Sequence, residues 1–190
     1  RSKSNAIAGQ IAVTQNLLGI VYFNSNQFED SIKYFTDCLN TLNKVKSIKP
    51  KLEPRLLLKA RTLSYLSRIC LRSQELESAK LYSQKCLTLY QQIKTRSAGK
   101  EIALAYIQLG YIDGQLHQRQ SSQRYLYFAL SRLHKLNLTK NLALSHHIAG
   151  KGCSNTRQFY RYQEHCCQAL AICQELPINL EVTGLMLKCM

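Results

Sequence analysis

The sequence predicts an all-α fold in which antiparallel helix pairs stack as a solenoid, and three observations lead there. The first is recurrence: small residues at Gly19, Ser67, Gly110 and Gly150 each open the same pattern of offsets, at separations of 48, 43 and 40 residues. A period of roughly 34–47 residues is the mark of a stacked array rather than a closed globule. The second is a short polar stretch between offsets +5 and +9 of each unit, such as Asn24-Ser25-Asn26-Gln27 or Arg72-Ser73-Gln74-Glu75, the length of a helical-hairpin connection. The third is what is missing: apolar and polar residues do not alternate in a sustained way, and the chain has only 3 prolines, so no strand pattern competes.

The units fall at about 12–45, 60–93, 103–136 and 143–176. Around Leu18-Gly19 the first continues with Tyr22, Phe28, Ser31, Phe35 and Cys38. The second has Leu66-Ser67, then Cys70, Leu76, Ala79, Ser83 and Cys86; the third has Leu109-Gly110, then Asp113, Arg119, Ser122, Leu126 and Ala129. The fourth reads Ala149-Gly150, Cys153, Phe159, Tyr162, Cys166 and Ala169. Offsets 0 and +19 are small, while −1 and +9 are mostly large and apolar, as two closely approaching helices require. Lys49 to Pro54 reads as a loop between hairpins, and Gly99 in the break from Thr95 to Lys100 suits the end of a helix. Ile178 to Met190 reads as a further or capping helix whose apolar run, Leu185-Met186-Leu187, covers the last hairpin. With the polar opening Arg1 to Asn5, this suggests a piece of a longer protein.

These residues resemble the tetratricopeptide repeat, whose pattern has a Leu-Gly pair, a Tyr three residues on, then Ala, Phe and Ala. The resemblance covers about residues 12–176, with units near the 40-residue variant. It implies a right-handed superhelix whose concave groove is lined by the first helix of each hairpin. The first unit matches best. Tyr162 and Cys166 depart from the pattern in the fourth, and Asp113 replaces the aromatic in the third, which suggests a looser hairpin there. A HEAT-like array is the alternative.

Eight cysteines raise the possibility of disulfides or zinc. Five of them, Cys38, Cys70, Cys86, Cys153 and Cys166, sit where the repeat needs a small or apolar residue, a role free Cys fills well. The grouping His146, His147, Cys153, His165 and Cys166 is a weaker candidate for a metal site. A thiol-rich interior points to a reducing compartment, cytosol or nucleus. No apolar stretch near 20 residues is evident, so no membrane span is expected. Acids are few and scattered and no phosphate-binding Gly-rich loop occurs, so no enzyme and no cofactor is expected.

The net charge of +15, from 26 Lys+Arg against 11 Asp+Glu, favours acidic partners or nucleic acid. In a groove of the implied kind the lining residues are Asn16, Ile20, Phe23 and Asn24, then Arg61, Ser64, Arg68 and Arg72, then Ile107 and Tyr111 with Leu104, then His147, Lys151 and Asn155. Arg61, Arg68 and Arg72 share one helical stripe. The expected partner is an acidic or amphipathic protein segment: Arg would hold carboxylates or a phosphate, Asn16 and Asn24 would grip backbone, and the apolar positions would form pockets. The competing reading is a solvated face whose Arg stems cover apolar neighbours. Asn16 and Ile20 stand where a chaperone-tail clamp would place Lys and Asn, which disfavours that ligand. A second basic segment, Gln118 to Lys135, interleaves Arg119, Arg124, Arg132, His134 and Lys135 with Tyr125, Tyr127 and Phe128. Such text can bind nucleic acid, but here the aromatics are expected in the core. A structural segment of a larger complex is a further alternative.

Overall fold

The computed structural model describes residues 2–44, 52–93, 98–136, 143, 146–148, 164–165, 167–169 and 171–172, and all regular structure among them is helical. The helices are α1 (Ser2–Asn24), α2 (Phe28–Lys44), α3 (Leu52–Arg72), α4 (Leu76–Gln92), α5 (Ala98–Gln115) and α6 (Arg119–Leu136). They pack as neighbours: α1 with α2, α3 with α4, α5 with α6. The chain divides into two compact units, Arg1–Lys94 with α1 to α4 and Thr95–Met190 with α5 and α6. Within the first, α3 also lies against α2 and α1. The expected all-helical, repeat-like pairing is therefore present.

Each hairpin turns by the same backbone device. The second residue past the helix end is left-handed in all three: Asn26 at φ 59°, Gln74 at φ 61° and His117 at φ 58°. The amide two residues further out than the cap reaches back across the last turn, Gln27 N to Tyr22 O at 2.9 Å, Glu75 N to Cys70 O at 2.8 Å, and Gln118 N to Asp113 O at 2.8 Å. This is the Schellman arrangement, which satisfies helix-end carbonyls. Its demand for a left-handed residue is met without a glycine, which Asn tolerates and Gln or His tolerate less well.

The paired helices nearly touch at the small anchor. A Cβ added to Gly19 would lie 2.6 Å from Phe35 Cδ1, and one added to Gly110 would lie 2.6 Å from Leu126 Cγ. A hydroxyl seals each approach. Ser31 Oγ donates to the Gly19 carbonyl at 2.8 Å, and Ser122 Oγ to the Gly110 carbonyl at 2.7 Å. In the middle hairpin the direction reverses: Ser67 Oγ donates to the Ala79 carbonyl at 2.7 Å and shares a second bond of 2.7 Å with Ser83 Oγ. Volume follows the same logic, since Phe35 and Leu126 fill the space over a glycine while Ser83 stands opposite a serine.

A second buried layer lies seven residues before the anchor. Ala12, Ala60, Ala103 and Ala143 occupy that position in the four units and are all fully buried. Cys38, Cys86, Ala129 and Ala169, at offset +19, are buried as well. In the first hairpin the two layers meet, with Cys38 Sγ donating to the Ala12 carbonyl at 3.2 Å. The second helices bury one stripe each: Ser31, Phe35, Cys38 and Leu42; Ala79, Ser83, Cys86 and Tyr90; Ser122, Leu126, Ala129 and Leu133.

Four expectations need correction. α3 begins at Leu52 and carries Pro54 in its first turn, where a missing N–H costs no helical bond, so Leu52 to Pro54 are not a loop; Lys49 to Lys51 lie outside the described residues. Gly99 is the second residue of α5 rather than a helix end, and it passes close to Leu136. Asp113 does not loosen its hairpin: it is fully buried and accepts the Ser121 hydroxyl, and α5 and α6 close on Gly110 as tightly as α1 and α2 on Gly19. Finally, Ala6–Asn24 of α1 is long and apolar enough to cross a membrane by length and composition, a property a packed helix shares. Its inner side is occupied by α2 and α3.

Two outcomes test this description. Gly19→Ala should destabilise the chain by about 1–3 kcal/mol through overpacking on Phe35, read as a shift in the urea midpoint, and Phe35→Leu in the same chain should recover part of the loss. Gln74→Gly should do the opposite, raising stability by roughly 0.5–1 kcal/mol by relieving the left-handed turn, whereas Asn26→Gly should change it little.

Candidate functional site

The groove residues expected from the sequence separate into two kinds. Asn24, Arg61, Arg68, Arg72 and Tyr111 are exposed, and Ile20, Ser64 and Leu104 are half-buried. Asn16, Phe23, Ile107 and His147 are buried and cannot line an open groove as expected. Lys151 and Asn155 lie outside the described residues.

Asn16, Ile107 and Phe23 each have a packing reason. Asn16 Nδ2 donates to Thr62 Oγ1 at 2.9 Å, and that hydroxyl donates to the Leu58 carbonyl at 2.9 Å. Asn16 therefore ties the first hairpin to α3 instead of gripping a peptide. Ile107 belongs to the core with Ala103, Ala129 and Leu133, and Leu104 packs against the same cluster.

Phe23 is the centre of an aromatic and arginine cluster that joins the first hairpin to α3. Its ring meets Tyr65 edge-on at 5.3 Å, Tyr65 stacks on Phe35 at 5.4 Å, and Phe28 lies 6.0 Å from Phe23. Two guanidiniums cover it. Arg68 stands 4.7 Å from the Phe23 centroid and 5.1 Å from that of Tyr65. Arg72 stands 4.9 Å from Phe23 and 5.3 Å from Phe28, and its Nη1 donates to Asn26 Oδ1 at 2.7 Å. The left-handed turn residue thus aims its amide at an arginine. These contacts are cation–π in kind, worth about 0.5–2 kcal/mol each, and they show that both arginines do cover apolar neighbours. They occupy the faces of the guanidiniums, whereas anion binding uses the N–H edges. Among the described residues no carboxylate pairs with Arg68 or Arg72.

The second basic segment differs from expectation. Tyr127 is 70% exposed and Phe128 46% exposed, so the aromatics are not confined to the core. With Gln120, Gln123 and Arg124 they line a shallow hollow of about 400 Å³ on α6. The apolar stripe of α6 runs through Ser122, Leu126, Ala129 and Leu133, and residues 127 and 128 fall off it. The spacing of that stripe was the signal that could have placed them outside.

Of the cysteines, Cys38 and Cys86 are buried at the repeat's small position, Cys70 is half-buried and Cys167 exposed, all four as free thiols. Burial pushes the Cys38 thiol above its ordinary range, so it is not an activated nucleophile. Cys153 and Cys166 lie outside the described residues, and the described ones contain no cluster of three metal-ligating side chains.

No protein-family model matches the chain, and no curated protein is similar to it in sequence. Among solved structures it is similar to the crystal structure of BtubC (BKLC) from P. vanneervenii, with a TM-score of 0.71 at 16% identity, over 99% of this chain and 83% of that one. At that identity the likeness is one of fold alone.

His146 and His165 form a further polar pair, with Nδ1 to Nδ1 at 3.0 Å, so that one ring donates to the other. Burial, then the neighbouring His165 and His134, lowers the His146 pKa from 6.5 to about 4. Above pH 6.5 neither the folded nor the unfolded state is charged there, and the contribution to stability is complete. Between pH 6.5 and about 4 the unfolded chain takes up a proton that the folded one refuses, so stability should fall as pH falls. Urea midpoints across that window should show the decline, and His146→Gln should flatten it.

Proposed function

We propose that the chain is a tetratricopeptide-like, right-handed array that works as an interaction scaffold, binding an acidic segment of a partner protein along the exposed face of α3. The recognising groups are Arg61, Arg68 and Arg72, with Asn24 and the half-buried Ser64 and Ile20 beside them. Asn16, Phe23 and Ile107 act as packing residues, and they and the buried His147 have no direct part.

One observation carries this reading: Arg68 and Arg72 are held against Phe23, Phe28, Tyr65 and Asn26, with no acid among the described residues to neutralise them. Holding an arginine still before the ligand arrives removes much of the entropy that binding would otherwise spend. A chain of net charge +15 also draws acidic ligands in by long-range attraction. The buried, unreactive thiol of Cys38 fits a reducing compartment, and binding rather than catalysis accounts for the features present.

A second reading has its own support. Exposed Tyr127 and Phe128 beside Arg124 are the elements of a stacking platform for single-stranded nucleic acid.

The test is fluorescence anisotropy with a labelled glutamate-rich peptide at about 0.15 M salt, using wild-type chain and Arg68→Gln with Arg72→Gln. The expected result is at least a tenfold loss of affinity, about 1.4 kcal/mol, in a variant that keeps its helical circular dichroism. Unchanged peptide binding would sink the α3 reading. Tight binding of single-stranded RNA at the same salt, abolished by Tyr127→Ala with Phe128→Ala, would favour the second.

A further inference from the structure

The outward positions of the second helix can be compared from one hairpin to the next. Offsets +17 and +18 from the small anchor are Thr36 and Asp37, Gln84 and Lys85, Tyr127 and Phe128, and Cys167 and Gln168. All are exposed except Asp37, which is half-buried. This holds even in the first hairpin, where α3 packs on α2, so the exposure belongs to the position and not to a missing neighbour. Only in α6 do aromatic rings stand there. The same helix also sheds its acids. Offset +10 is Glu29 in α2 and Glu77 in α4 but Gln120 in α6, and α6 carries Arg119, Arg124, Arg132 and Lys135 with no Asp or Glu. These are solvent positions, and packing asks for neither change.

We propose that the outer face of α6 holds two consecutive nucleotides of a single strand, one base on Tyr127 and the next on Phe128. This rests on the second reading above and adds the register and form of the strand. The platform is held from below: Phe128 lies 5.6 Å from Tyr106, and Tyr106 lies 6.0 Å from Tyr125, both of these inner rings being half-buried. Rings fixed in advance lose little freedom when a base stacks on them. Tyr127 and Phe128 are 6.1 Å apart with their planes at 63°, so bases lying flat on both are turned away from each other. A flexible single strand allows that, whereas the parallel, stacked bases of a duplex do not. Arg124 and Arg132, both exposed, stand one helical turn before and after Phe128, about 6 Å along the axis in each direction. Phosphates on either side of its base would meet guanidiniums there. Gln120 and Gln123 line the same hollow with amides, which bond base edges and do not repel phosphate. An acidic peptide is a poorer match, because its carboxylates meet arginine but leave the ring faces uncovered. Each nucleotide brings a flat ring and an anion together.

Fluorescence anisotropy with labelled oligo(U) of about ten nucleotides tests this, titrated between roughly 0.05 and 0.3 M salt. The single strand is expected to bind, and an RNA duplex of the same length to bind at least tenfold more weakly. Tyr127→Ala with Phe128→Ala should weaken strand binding at least tenfold, with unchanged helical circular dichroism and an unchanged slope of log affinity against log salt. Arg124→Gln with Arg132→Gln should instead reduce that slope by about 1.4, two phosphates at about 0.7 each. Absence of binding at about 0.15 M salt overturns this site together with the reading it rests on. Binding that survives the ring substitution overturns the site alone and leaves that reading to other basic residues. A duplex bound as tightly as the strand, or a glutamate-rich peptide that loses affinity in the ring variant, overturns the site as well.

Discussion

The rest of the architecture depends on a side-chain hydroxyl bonded to a main-chain carbonyl of the opposite helix, twelve residues away, where two helices almost touch. Helix backbones this close admit a large side chain from one helix only where the other supplies a glycine, as Phe35 does over Gly19 and Leu126 over Gly110. The hydroxyl fills what space remains and gives the carbonyl a second hydrogen bond, so the approach is fixed in register as well as in distance. Ser31 on Gly19, Ser67 on Ala79 and Ser122 on Gly110 are three instances of one constraint. The alanine layer seven residues earlier extends it by two turns, which is why each pair stays close along much of its length.

From that contact the path to the exposed arginines is short. Gly19 admits Phe35, Phe35 supports Tyr65, Tyr65 meets Phe23, and Phe23 carries Arg68 and Arg72. A close approach in the first hairpin thus determines where two positive charges stand on α3. The same chain of contacts joins α3 to the first hairpin, with the Asn16–Thr62 bond as its polar counterpart. Charge display and structural cohesion are one assembly here.

Much of the fold was legible because it is written in spacing. The turns fall within the polar stretches read from the sequence, and the small positions at Gly19, Ser67, Gly110, Cys38 and Cys86 are buried as their offsets require. The alanines at 12, 60, 103 and 143 were equally regular and were missed, because alanine is common and no chemistry draws attention to it. The groove was read less well, for a physical reason. Offsets give the side of a helix, whereas exposure depends on what the adjacent elements place there. Asn16 and Phe23 point toward the anticipated side and are covered by Thr62 and by the two arginines. Tyr127 and Phe128 are the converse: aromatic residues expected inside, yet one step off the stripe that α6 buries.

The reversal of donor and acceptor in the middle hairpin reaches beyond that hairpin. Where glycine faces serine in two pairs, serine faces alanine in the third, with Ser83 in place of a large residue. The two halves of a pair are therefore matched like a key and its own lock, and the pairs are not interchangeable. A chimera joining α3 to α2 would push Ser67 into the ring of Phe35, although each helix is well suited to its native companion. Sequence drift in such a chain has to proceed by linked changes on facing helices. Its repeats can come to look unlike one another, and unlike those of other proteins, while the distance between their helices stays the same.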